Sequence, residues 1–279
     1  MANHLFCFGL GYTASHLARE LLAAGWRVSG TRRAPAADCA NGVHLYAFDG
    51  STEIKLSDDV SHVLLSIPPD DAGDPVARIM AEELRRLPHL QWLGYLSTTG
   101  VYGDKGGQWV DEETPAAPTT ARGVRRVLAE RQWLDLYRRH GLPVHVFRLA
   151  GIYGPGRNQL ESLRRGEARR VIKPGQVFSR IHVDDIIAIL MASMEHPNPG
   201  RIYNVCDDEA APPEDVIDYA ATLLGLPAPP TISADDPSLS DMAKSFYAEN
   251  KRVRNDRIKR ELGVRLLYPT YREGLKALL

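Results

Sequence analysis

Short apolar runs and longer amphipathic stretches alternate through the first half of the chain. HLFCFGLG, WRVSGTRR, HVLLSIPP, LQWLGYLS and PVHVFRLAG have the length and the apolar content of buried strands. Between them, helical patterns run over Tyr12 to Ala24, from about Pro75 to Leu87, and through TTARGVRRVLAERQW, Thr119 to Trp133. In the last of these, Val124, Val127, Leu128 and Trp133 are expected to share one side of the helix. Strands alternating with helices predict an α/β chain with a doubly wound parallel sheet, covered by helices on both faces. After Gly151 the regularity fades. IYGPGRN, IKPGQVFSR and AAPPEDV punctuate shorter elements, with helical patterns in VDDIIAILMASMEH and PEDVIDYAATLLG. The expected division is a sheet domain over residues 1–155 and a smaller lobe over 156–279, with segments around 180–206 returning to the first domain. The sequence contains no internal repeat and no low-complexity segment.

Composition narrows the function classes. Hydrophobic residues at 44% and charged residues at 25% are ordinary for a globular enzyme or binding protein. A net charge of -1 argues against a nucleic-acid or membrane partner, since both require concentrated positive charge; the short RR runs read as solvated helix faces. No apolar run approaches the roughly 18 residues of a membrane span. The start MANHLFCFGLG also lacks the basic, apolar and small-residue regions of a secretory leader, so a cytoplasmic protein is expected. Cys7, Cys39 and Cys206 have no metal-ligand spacing and read as reduced and structural. The nine histidines form neither HxxxH nor HExxH, and no metal site is expected.

The chemistry begins at GLGYTA, directly after the first strand and opening onto a helix. Gly9 permits a tight turn, Gly11 lets the backbone approach a pyrophosphate, and Ala14 lets the helix pack closely, in the GxGxxA form of a Rossmann-type dinucleotide loop. Tyr12 and Thr13, at the helix start, are placed where free N–H groups meet phosphates. An NAD-preferring site would end its second strand with an Asp or Glu for the ribose hydroxyls. This chain has Thr31, Arg32 and Arg33, so NADP(H) is favoured over NAD(H), with Arg32 the better candidate to grip a 2′-phosphate; the alternative is a pair of solvated loop arginines. Asp49, ending LYAFDG, is a candidate for the adenine amino group or a turn cap, and Ser66, ending HVLLS, completes the cofactor set.

With LSTTGVYG (Leu96 to Gly103), RLAGIYGPGRN (Arg148 to Asn158), RIHVDDI (Arg180 to Ile186) and IYNVCDDE (Ile202 to Glu209), the chain resembles an extended short-chain dehydrogenase/reductase of the NAD(P)-dependent epimerase/dehydratase superfamily. The resemblance implies an active site of Ser or Thr, Tyr and Lys, the last two as YxxxK on one helix face. It places Thr98 at the hydroxyl position, where a strand-end cap is the plainer role. Arg122 then stands where Tyr belongs and Arg126 where Lys belongs. Arginine can replace lysine in holding a ribose, but a guanidinium with a pKa above about 12 cannot shuttle protons near neutrality. The literal YxxxK at Tyr247 to Lys251 follows no suitable strand and reads as coincidence.

Other departures shape the functional expectation. Dehydratases of the family carry an Asp-Glu pair after the hydroxyl residue, where this chain has Thr99 and Gly100; Gly151 replaces the Asn of RxxNxYGPG. Tyr102, Tyr153 and His182 are candidate proton donors, against packing for the tyrosines and capping for the histidine. Arg148 is a candidate to orient substrate, or a structural ion-pair partner. Two function classes follow. One is an NADP(H)-binding oxidoreductase with a nonstandard site, acting on a small carbonyl, alcohol or sugar-nucleotide-like substrate. The other is a catalytically silent NADP-sensing protein. Redox-neutral isomerisation with a retained cofactor is a third. A homodimer stays open by analogy with related folds.

Overall fold

The computed structural model describes residues 3–34 and 39–279, with the side chains of 39 and 40 outside the description. In chain order the first elements are β1 (His4–Phe8), α1 (Tyr12–Ala23), β2 (Arg27–Arg32), β3 (Cys39–Ala40), β4 (Val43–Ala47), β5 (His62–Leu65), α2 (Pro75–Ile79), α3 (Ala81–Arg86) and β6 (Trp92–Thr98). A 3₁₀ turn (Thr99–Tyr102), β7 (Trp109–Val110), α4 (Ala121–His140), β8 (Val144–Leu149), β9 (Gly151–Tyr153), α5 (Gln159–Arg164), β10 (Arg170–Ile172) and β11 (Arg180–His182) follow. The last are α6 (Val183–Glu195), β12 (Ile202–Val205), α7 (Pro213–Leu224), β13 (Thr231–Ser233), α8 (Asp241–Tyr247), β14 (Arg252–Val253), α9 (Asp256–Leu262) and α10 (Tyr271–Lys276).

The main sheet has the order β12-β8-β6-β5-β1-β2-β4-β3, the α/β class the alternation predicts. β1 pairs in parallel with both β2 and β5, while the two-residue β3 runs antiparallel on the edge. Strands buried on both faces run largely apolar, and β1, β5 and β8 are buried at every position, with His4, His62, His145 and Arg148 as their polar members. From β1 the chain winds outward through β2 and β4, then returns to β5 on the other side. That reversal makes a topological switch point at the carboxyl ends of β1 and β5.

Two compact units divide the chain: Met1–Thr98, Val124–Arg148 and Ile187–Tyr203 form the sheet unit, and Thr99–Gly123, Leu149–Ile186 and Asn204–Leu279 form the second. The sheet unit has a core around Phe6, Phe8, Leu65, Leu93, Trp133 and Val146. The second unit has one around Tyr153, Leu160, Ala220, Tyr271 and Leu275, and its strand pairs β9–β11, β10–β13 and β7–β14 are short and parallel.

Two helices differ from the pattern reading. The stretch from Pro75 to Leu87 is two helices, broken at Met80, whose φ of -104° and ψ of -1° end α2 and begin α3. The apolar face expected for α4 is not one face. At 3.6 residues per turn the nine residues from Val124 to Trp133 amount to about 180° of rotation. Trp133, Ala129 and Glu130 point inward, and Val124 and Leu128 are exposed.

Candidate nucleotide pocket and the arginine helix

A pocket of about 490 Å³ opens at the switch point, lined by Gly9, Gly11, Thr31, Arg32, Arg33, Asp49 and Ser66 among others. Gly9 has φ +89°, and a Cβ there would meet Ile67 Cγ1 at 3.0 Å and Ile67 N at 3.2 Å, so the turn requires glycine against the end of β5. At Gly11 a Cβ would meet nothing within 4 Å, leaving open space where backbone N–H groups begin α1. That helix has no side-chain cap at Gly11 and no acidic residue in its first turn, which suits an anionic group. Thr13 and Ala14 are buried, while Tyr12 packs at a tilt against His16 with ring centroids 4.5 Å apart. These three residues shape the helix start and do not line the pocket.

Thr31 and Arg32 divide the end of β2 by strand alternation. Thr31 is buried, its Oγ1 accepts from Gly9 N at 2.9 Å and its carbonyl accepts from Leu10 N at 3.0 Å, so it fixes the glycine loop. Arg32 and Arg33 are exposed at the pocket, and neither guanidinium is tied into a hydrogen bond or ion pair among the described residues. Asp49 caps its own turn, accepting from Ser51 N at 2.9 Å and Ser51 Oγ at 2.6 Å. The Ser51 hydroxyl and N–H hold its carboxyl below the usual range. Ser66 donates its N–H to Phe8 O at 2.9 Å and stays half-buried on the pocket wall.

Thr98, the last residue of β6, is half-buried. On α4, Arg126 donates Nη1 to Leu96 O and lies 5.9 Å from the Tyr95 ring centroid, a tether to the strand that carries Thr98. One turn earlier, Arg122 is exposed with its guanidinium 4.4 Å from the Phe246 ring centroid. One turn after Arg126, Glu130 is buried and accepts from Ser97 Oγ at 2.5 Å, Arg148 Nε at 3.1 Å and Arg148 Nη2 at 2.8 Å. Of the two roles considered for Arg148, the structure shows the ion pair.

Within the second unit the candidate proton donors are packed. Tyr102 is fully buried and donates to Asn204 Oδ1 at 2.7 Å. Tyr153 is buried with its ring edge-to-face on His182, 5.1 Å between centroids, and burial pushes its hydroxyl pKa up. His182 Nδ1 accepts from Asp184 N at 3.2 Å, at the start of α6. The YxxxK residues are not a helical pair: α8 ends at Tyr247, and Lys251 Nζ donates to Gly103 O at 2.9 Å and Glu249 Oε2 at 2.6 Å. Sequence reading missed the Ser97–Glu130–Arg148 network; the Glu130 to Trp133 spacing, which turns both residues inward, was the available signal.

Elsewhere, Cys7 and Cys206 are buried free thiols, and the side chain of Cys39 lies outside the described residues. Among the described residues no group of three His, Cys, Asp or Glu side chains could hold a metal ion, and no helix is long and apolar enough to cross a membrane.

The sheet order and the glycine pocket define a Rossmann-type chain. It belongs to the NAD dependent epimerase/dehydratase family, whose profile matches residues 76–206. Protein YeeZ of Escherichia coli strain K12 is 31% identical over 285 residues, covering 94% of each chain. The structure of a functionally unknown conserved protein from Silicibacter pomeroyi is 56% identical, with a TM-score of 0.92 over 99% of this chain and 98% of that one. The structure of dTDP-glucose 4,6-dehydratase from Bacillus anthracis in complex with NAD is 18% identical; it superposes with a TM-score of 0.80 over 100% of this chain and 95% of that one, a likeness of fold.

Proposed function

We propose that this chain is an NADP(H)-dependent oxidoreductase acting on a small carbonyl or alcohol, with an active site that lacks the family's tyrosine. The observation that carries the reading is the end of β2, where two exposed guanidiniums stand on the pocket and Arg32 replaces the carboxylate of an NAD-preferring site. Gly9, Gly11 and the uncapped start of α1 would hold the pyrophosphate, and Arg32 the 2′-phosphate through charge-assisted hydrogen bonds. When bound, the nicotinamide supplies or accepts the hydride. Thr98 would orient the substrate oxygen by its hydroxyl. Arg126 keeps β6 in place through Leu96 and supplies positive charge. The proton then comes from water or from the substrate's own exchangeable group.

A second reading, an NADP-sensing protein without turnover, is favoured by two features: Arg122 at the tyrosine position lies over Phe246, and the hydroxyl of Tyr102 is engaged by Asn204. A cytoplasmic, homodimeric protein without nucleic-acid partners fits either reading.

Calorimetric titration with NADPH and NADH tests the cofactor argument. NADPH should bind more tightly, and Arg32→Ala should weaken NADPH by about tenfold or more, the loss of a hydrogen bond between charged groups, while leaving NADH unchanged. Equal losses for both nucleotides would remove the argument from Arg32. Hydride transfer from NADPH to a carbonyl panel, abolished in Thr98→Ala, separates the enzyme from the sensor.

A further inference from the structure

The second unit buries a cation that has no ion-pair contact among the described residues. Arg180, at the start of β11, is 7% exposed, and its Nη1 has no hydrogen-bond partner among the described residues. No ion pair reaches its guanidinium there. β11 runs parallel to β9 with Arg180 opposite Gly151 and His182 opposite Tyr153, so all four positions share one face. Glycine at 151 leaves the space beside Arg180 without a competing side chain; a Cβ there would stand 3.8 Å from Arg180 Cβ. On another side the Tyr271 ring centroid lies 5.4 Å from the guanidinium.

Two further buried polar atoms in this place lack a partner among the described residues, Tyr153 Oη and Asp207 Oδ2. Asp207 is held close by its backbone, which donates to Arg180 O at 2.7 Å, and its Oδ1 accepts from Glu209 N at 3.3 Å. The three groups feel one another. Burial pulls the Arg180 pKa down and pushes those of Asp207 and Tyr153 up; Asp207 opposes the shift at Arg180, and Arg180 opposes both of the others.

A buried guanidinium without compensation costs several kcal/mol, and buried polar atoms as a rule have partners. The phenol hydroxyl and the guanidinium are donors, and neither Tyr153 Oη nor Arg180 Nη1 reaches an acceptor among the described residues.

We propose that Arg180, Tyr153 and Asp207 form a binding site for a small monoanionic carboxylate, the anchoring group of the substrate. The planar fork of the guanidinium matches a carboxylate, and the Tyr271 ring supplies a flat wall. One guanidinium balances one negative charge, and the neighbouring Asp207 carboxyl opposes a second, which disfavours a dianion such as a phosphate monoester. As a statement of substrate class this rests on the enzyme reading above; binding of the carboxylate does not.

Acetate and methylphosphonate, each carrying one methyl group, are the probes for saturation-transfer NMR on the intact protein at fixed ionic strength and at a pH well above the second ionisation of the phosphonate, where it carries two charges. The acetate signal should exceed that of methylphosphonate. It should fall about tenfold or more in Arg180→Gln, and less steeply in Tyr153→Phe, which keeps the ring and loses one donor. If Arg180→Gln fails to fold, Tyr153→Phe decides: a reduced signal supports the site, and an unchanged one overturns it. No acetate signal in the wild type, or equal signals in wild type and Arg180→Gln, also overturns it and leaves the cluster to water. A stronger methylphosphonate signal overturns the monoanion assignment. NADPH binding on the same samples keeps the two readings apart. Acetate binding without NADPH binding removes the oxidoreductase and spares the carboxylate site, and the reverse result does the opposite.

Discussion

Glu130 accepts from Ser97 and from two nitrogens of Arg148, and both members of the ion pair are buried. Removing one partner of such a pair leaves the other charge in the interior, which is worse than never having built the pair. Glu130→Ala should therefore destabilise the protein by about 3–5 kcal/mol, seen as a lower midpoint in denaturant unfolding. Glu130→Leu combined with Arg148→Met should recover most of that loss. A double variant as unstable as Glu130→Ala would mean that the network does more than satisfy its own charges. The residue scale is also where the sequence was least legible. Arg148 could be read as a substrate ligand or a structural partner, and only the inward turn of Glu130 separates the two. Asp49 behaved similarly: its turn-capping bonds come from Ser51, two residues away, a local arrangement that a side-chain inventory does not rank.

The elements themselves were more legible. Buried strands such as β1, β5 and β8 are mostly apolar, so their existence and class follow from the sequence, and so does the glycine loop between β1 and α1. Helix phase was less clear. The face of α4 is set by Trp133 and by a buried Glu130, and a pattern search that counts only apolar residues turns the helix the wrong way. The strands also bury two histidines whose chemistry is visible only in their packing. His62, beside Trp26 and Trp92, and His145, stacked on Trp92 with its Nε2 accepting from Asn198 N at 2.9 Å, both have pKa values pulled down to about 4 by burial. Below about 6.5 the unfolded chain gains protons that the folded one refuses, so stability is full above that pH and falls as pH drops towards 4. Urea unfolding between pH 7 and 4 should show this decline, and His145→Gln should flatten it. An unchanged slope in that variant would place the protons elsewhere.

At the scale of the whole molecule, each unit carries one buried thiol among the described side chains, Cys7 in the sheet unit and Cys206 in the second. Burial pushes the Cys7 pKa up to about 12 and that of Cys206 well above its ordinary value, so neither offers thiolate to a reagent in the folded state. Thiol labelling followed by peptide mass spectrometry should leave both unmodified in buffer and label them as denaturant rises, each reporting the opening of its own unit. Labelling of either at the rate of a free cysteine in buffer would contradict the packing. The division into units also gives pattern reading little to work with, because the sheet unit is assembled from three separated stretches of chain.

Neighbouring residues at the end of β2 have separate tasks. Thr31 turns inward and latches the glycine loop through its hydroxyl and carbonyl, while Arg32 turns outward onto the pocket. The latch asks nothing of the next side chain. Position 32 is therefore free to vary without rebuilding the loop, and a lineage or an engineer could retune nucleotide choice there one substitution at a time, with the scaffold indifferent to the outcome.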